Sequence, residues 1–96
     1  MTGKDIITFL KDSKGQFDKF GVKKIGLFGS YIKDQETEGS DIDILVEFKE
    51  NSKTFDNYMD LKFYLEDNLK KKVDLVIENS IKDDLKNDIL GSVKYA

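Results

Sequence analysis

Residues 24–48, KIGLFGSYIKDQETEGSDIDILVEF, carry two apolar segments, 25–28 and 42–48, separated by a polar loop. The second segment constrains the chain most. It opens Asp41-Ile42-Asp43-Ile44, acid and aliphatic in alternation. Read as a strand, with a side-chain period of two, it sets Asp41 and Asp43 on one face and Ile42, Ile44 and Val46 on the other. The loop before it begins with Gly29-Ser30 and ends with Ser40-Asp41. Two acids on one face, beside a Gly-Ser turn that follows a strand, suit a divalent metal and phosphate.

Composition narrows the chemistry. The chain has 96 residues, which predicts one domain spanning residues 1–96. It has no His, which removes the commonest general base, Ser-His-Asp hydrolysis and ordinary zinc sites. It has no Cys, hence neither disulfides nor thiolate ligands. Any metal must be held by oxygen, which favours Mg²⁺, Mn²⁺ or Ca²⁺. Every basic residue is Lys, so the bidentate guanidinium fork is absent. A net charge of −3 without a dense basic stripe argues against direct DNA binding. No apolar run is long enough to span a membrane, and the first residues are too charged for a signal peptide, so a cytoplasmic location is expected.

The remaining segments follow from periodicity and punctuation. Residues 4–20 predict one helix, with an apolar stripe of Ile6, Ile7, Phe9, Leu10, Phe17 and Phe20, and Gly21 as its cap. Residues 23–28 predict a first strand, 30–34 a helical turn, and 41–48 a second strand. Residues 54–69 predict a second long helix, in which Tyr58, Leu61, Leu65 and Leu69 step by three or four. The following Lys70, Lys71 and Lys72 read as a solvated helix end that suits the macrodipole. Residues 73–77 predict a third strand and 81–90 a last helix, with Val93 and Tyr95 packing back. Strands alternating with helices give an α/β (α+β) layer fold, a small mixed sheet with helices on one face.

Asp74 lies inside the otherwise apolar third strand. Solvation at a strand edge would account for Asp74 alone, and turn chemistry for Asp41 alone, but neither accounts for three acids together. Three converging carboxylates without a cation raise one another's pKa, and bound Mg²⁺ removes that cost. Gly29 lets the backbone approach a ligand closely, and Ser30 can offer its N–H and hydroxyl to phosphate oxygens. The acidic loop of Asp34, Glu36, Glu38, Asp41 and Asp43 is either solvated or a surface for a basic protein partner.

Gly-Ser, ten intervening residues, Asp-x-Asp and an Asp in a later strand together resemble the DNA polymerase beta nucleotidyltransferase superfamily. More narrowly the chain resembles its minimal nucleotidyltransferases, through FGSYIKDQETEGSDIDILVEF, KKVDLVIENSIKDDL and the tail ILGSVKYA. The resemblance implies a polymerase beta palm-like fold and Mg²⁺-dependent nucleotidyl transfer, with two ions and Mn²⁺ as a possible substitute. By it, Asp41, Asp43 and Asp74 are the catalytic and metal-holding residues, Gly29 and Ser30 grip ATP, and Lys33 stands where many relatives carry Arg. It further implies an antitoxin that transfers AMP from ATP to a tyrosine hydroxyl of a HEPN-domain ribonuclease toxin. Two other readings compete: transfer to a small molecule or RNA held by a separate subunit, and a non-catalytic module that neutralises a toxin by occupying it.

Overall fold

The computed structural model describes residues 1–96. Its elements run α1 (Gly3–Asp12), α2 (Lys14–Lys19), β1 (Val22–Phe28), a 3₁₀ turn (Gly29–Tyr31), β2 (Ile42–Phe48), α3 (Phe55–Leu69), β3 (Val73–Ile77), a second 3₁₀ turn (Glu78–Ser80), α4 (Asp83–Ser92) and β4 (Lys94–Tyr95). The sheet order is β3-β2-β1-β4. β1 is antiparallel to both β2 and β4, whereas β2 and β3 are parallel. Parallel neighbours need a crossover, and α3 supplies it.

The alternation read in the second strand is realised. Ile42, Ile44 and Val46 are fully buried in the main core with Ile6, Leu10, Leu61 and Leu65. The expected mixed sheet is present, and α1, α2 and α3 contribute the helical side of that core. No helix is long and apolar enough to cross a membrane.

The single helix expected over residues 4–20 is in fact two, broken at Ser13. Ser13 is buried, and the Tyr64 hydroxyl of α3 lies 3.4 Å from its Oγ. Phe9, Phe17 and Phe20 close around the Tyr64 ring at centroid distances of 6.0, 5.9 and 5.8 Å. The break wraps the chain around one aromatic ring, and Gly15 lowers its cost because glycine is a poor helix former. Gly21 takes φ +74° just past α2, as a glycine cap requires.

The C-terminal part departs further. The last helix begins at Asp83 and runs through Gly91 to Ser92, so Gly91 does not end it. No residue of α4 is buried. The tail then pairs as a strand, with Gly26 opposite Tyr95 and Leu27 opposite Lys94.

Candidate active site

The register of the sheet assembles the site. Asp43 of β2 is paired with Phe28 at the end of β1 and with Asp74 of β3. Asp43 and Asp74 are therefore lateral neighbours on the sheet face opposite Ile42 and Ile44. Asp41 stands one residue before β2 and is exposed. Asp74 is also exposed, on an edge strand, whereas Asp43 is half-buried.

Gly29 closes the other side. It holds φ +75°, a region that disfavours side chains, and a Cβ there would collide with the Asp43 carboxylate. The chain thus turns out of β1 directly against that carboxylate. Ser30 follows in the 3₁₀ turn, and its backbone amide donates toward Asp43. The amides of Ile32 and Lys33 bond back to the Gly29 carbonyl, at 3.1 and 3.2 Å, and Gln35 N–H bonds to the Ser30 carbonyl at 2.9 Å. These bonds fix the turn. The Lys33 side chain is exposed and forms no ion pair with the acids.

Burial pushes the Asp43 carboxyl above its ordinary range, and the charges of Asp74 and Asp41 push in the same direction. The Ser30 amide offsets part of this. Asp43 therefore feels both other acids, but no three acidic side chains stand close enough to form a ready metal cage. Carboxylates that repel spread apart where solvent allows, and Asp41 and Asp74 are both exposed. The donor set is all oxygen and anionic, with Asp43 already penalised for its charge, so it fits a hard divalent cation.

The lysine run is more than a solvated helix end. Lys70 adopts the left-handed conformation, φ 57°, and caps α3 by donating its amide to the Glu66 carbonyl at 2.9 Å. Lys71 Nζ donates to the Glu38 carbonyl at 2.9 Å and so anchors the acidic loop. The Lys72 carbonyl accepts the Ile42 amide at 3.0 Å, where β2 begins. Asp41 and Asp74 line a cleft of about 710 Å³ beside these lysines. Sequence reading missed this role; three consecutive lysines directly before the strand that carries the third acid were its only signal.

The nucleotidyltransferase domain family matches residues 5–96. A protein from Methanocaldococcus jannaschii, assigned as a protein adenylyltransferase, is 54% identical over 67% of this chain and 65% of its own length. Protein adenylyltransferase MntA of Thermococcus cleftensis is 41% identical over 81% of this chain and 78% of its own. A solved structure assigned as a minimal nucleotidyltransferase superposes with a TM-score of 0.83 at 26% identity, over 98% of this chain and 95% of that one. A toxin–antitoxin structure with AMP-PNP matches with a TM-score of 0.69 at 27% identity, over 99% of this chain and 72% of that one. Fold, motif and relatives agree, and the chain belongs to the nucleotidyltransferase domain family, in the minimal nucleotidyltransferase branch that includes the protein adenylyltransferases.

Proposed function

We propose that this chain is the antitoxin of a toxin–antitoxin pair and acts as a Mg²⁺-dependent protein adenylyltransferase in the cytoplasm. It transfers AMP from ATP to a tyrosine hydroxyl of a HEPN-domain toxin. The observation that carries the reading is the position of Asp43, between the Gly29-Ser30 turn on one side and Asp74 on the other. The named activity of the relatives and the toxin–antitoxin assembly of a structural neighbour point the same way.

In this reading Asp41, Asp43 and Asp74 hold the metal ions. Gly29 and Ser30 grip the triphosphate, and Lys33 neutralises part of its charge without a bidentate contact. Bound Mg²⁺ supplies activation of the attacking oxygen and neutralisation of the leaving pyrophosphate. The Ser30 amide orients the Asp43 carboxylate. Asp74, exposed at the edge, takes up the phenol proton as the tyrosine Oη–Pα bond forms. The bond from Pα to the bridging oxygen breaks, and pyrophosphate leaves on the Ser30 side. A chain without His needs such a carboxylate for this proton.

The test is mass spectrometry of a cognate HEPN toxin after incubation with this protein, ATP and Mg²⁺. AMP on a toxin tyrosine is the expected outcome. An inhibited but unmodified toxin would favour the non-catalytic binding module. An active toxin beside labelled RNA or small molecule would favour the other acceptor class.

A further inference from the structure

The loop that leads into β2 ends on Asp41, which is exposed. Within that loop Thr37 and Ser40 close a turn on themselves. The Ser40 amide donates to the Thr37 carbonyl at 3.0 Å, and the Thr37 amide donates to Ser40 Oγ at 2.8 Å. No atom lies near a Cβ built at Gly39, so the turn stands in solvent. At its start the loop is tied down by the Gln35 amide on the Ser30 carbonyl, and at its end by the Ile42 amide on the Lys72 carbonyl. Between those points the one hydrogen bond that leaves the loop runs from Lys71 Nζ to the Glu38 carbonyl, at 2.9 Å.

The tether has a definite place. Glu38 lies three residues before Asp41, and Lys71 lies three residues before Asp74. The bonds from Lys71 to Glu38 and from Ile42 to Lys72 involve consecutive lysines and bracket Asp41. The loop that carries one exposed acid is thereby fastened to the segment that enters the strand carrying the other. Lys71 is half-buried, and its ammonium group forms no ion pair.

We propose that Lys71 is a positioning residue of the metal site, which sets Asp41 against Asp74 by holding the Glu38 carbonyl. The proposal rests on the reading of these acids as metal ligands. Repelling carboxylates part where solvent allows, and the tether limits how far Asp41 can go. Mg²⁺ demands near-ideal octahedral geometry, so that limit bears on its affinity. Charge alone predicts the reverse sign. An ammonium group repels a divalent cation, so the loss of a lysine that acted only by its charge would tighten Mg²⁺ binding.

Lys71→Met keeps the reach of the side chain and removes donor and charge, whereas Lys71→Arg keeps both. In the metal-free proteins, a Glu-specific protease should cut after Glu36 and Glu38 about five-fold faster in the methionine variant, as expected for loss of one charged hydrogen bond from a locally opening loop. Its urea midpoint should match the parent, because the bond holds a loop outside the core. Thermal melts across a Mg²⁺ titration, at saturating non-hydrolysable ATP analogue, should need about ten-fold more Mg²⁺ for half the shift, the low end for residues that orient metal ligands. The arginine variant should behave as the parent in both measurements. Unchanged loop cleavage, an unchanged or lower Mg²⁺ requirement, or no rescue by arginine would each overturn the role. So would a urea midpoint that falls with the loop protection, which would make Lys71 a contact of the whole fold. Analogue binding without Mg²⁺ that weakens by the same factor would make Lys71 a phosphate ligand instead. A parent that gains no stability from Mg²⁺ with the analogue would refute the metal site itself, and the role with it, while the cleavage result would still report the tether.

Discussion

The Tyr95 hydroxyl donates to Glu78 Oε1 at 2.9 Å, and this bond links the two edges of the sheet. Tyr95 belongs to β4 on one edge, and Glu78 follows β3 on the other. Tyr95 pairs with Gly26, and its ring lies against that glycine. Leu45 is fully buried although it lies outside the main core cluster. A Cβ at Gly26 would come within 2.8 Å of Val93 Cγ2 and 3.1 Å of the Tyr95 ring, so glycine is what lets the tail lie flat. Lys24 Nζ sits 4.3 Å from the ring centroid and completes the strap.

This strap has a pH signature. Burial, the hydrogen bond to Glu78 and the charges of Glu78 and Glu47 push the Tyr95 phenol from 10.0 up to about 12. A raised folded-state pKa gives stability that is complete below pH 10 and lost as pH rises toward 12. Tyr95→Phe should remove that part of the alkaline loss. At neutral pH the substitution should cost about 0.5–1 kcal/mol, the lower part of the range for a hydrogen bond because this one is exposed. Urea titrations of both proteins from pH 7 to 11.5, on the order of five pH values, check it. Identical alkaline loss in the two would rule out the strap as its source.

Asp43 gives the opposite balance between stability and activity. Its carboxyl is raised by burial and by Asp74 and Asp41, so the ionised form costs folding energy in the metal-free protein. The associated stability is present below the ordinary value of 3.8 and is lost as pH rises through the folded value. Asp43→Asn mimics the neutral state. It should make the metal-free protein more stable at pH 7, and the difference should close in acid. AMP transfer should fall by more than about 100-fold, beyond the range typical for residues that only support a metal ligand. Melts at pH 7 and near pH 3.5, with a transfer assay, check both halves; wild-type activity in the variant would refute the site.

Gly29→Ala tests the backbone against which Asp43 rests. Alanine at φ +75° costs roughly 1–2 kcal/mol, and its Cβ collides with the Asp43 carboxylate. A lower urea midpoint and a transfer rate reduced well beyond what the stability change explains are expected. Gly91→Ala is the control: no atom lies near a Cβ there, and it sits inside α4, where alanine should stabilise by up to about 1 kcal/mol.

The parts of the fold that were legible in the sequence rest on local periodicity. The alternation of residues 42–48 fixed which face meets the helices, and the β-branched run at 73–77 matched β3 at both ends. Strand pairing puts Asp74 on one side of Asp43 and Phe28, the residue before Gly29, on the other. What escaped depends on distant partners. The break at Ser13 is settled with Tyr64, 51 positions away, and the anchoring of the acidic loop by Lys71 joins residues 33 positions apart. β4 has only two residues, too short for any period, and exists because Gly26 leaves room for it. The exposure of Asp74 has a similar origin: its flanking residues are apolar, and the strand edge that frees it comes from no further strand pairing beyond β3.

That exposure sets the expectation for Asp74→Asn. The side chain lies in solvent on an edge strand and accepts no hydrogen bond that holds the fold, so the metal-free variant should melt within about 0.5 kcal/mol of the parent. Its role emerges on loading. A ligand that binds only the folded state stabilises in proportion to the logarithm of its occupancy ratio, so Mg²⁺ with a non-hydrolysable ATP analogue should raise Tm in the parent and raise it less in the variant. The analogue without Mg²⁺ should stabilise the parent no more than the variant, because the Asp74 carboxylate attracts a cation and repels the triphosphate. AMP transfer should fall with the loss of the Mg²⁺-dependent shift. A variant with full Mg²⁺-dependent stabilisation but no transfer would leave Asp74 as a proton acceptor alone. A large loss of stability without any ligand would instead make it a structural acid.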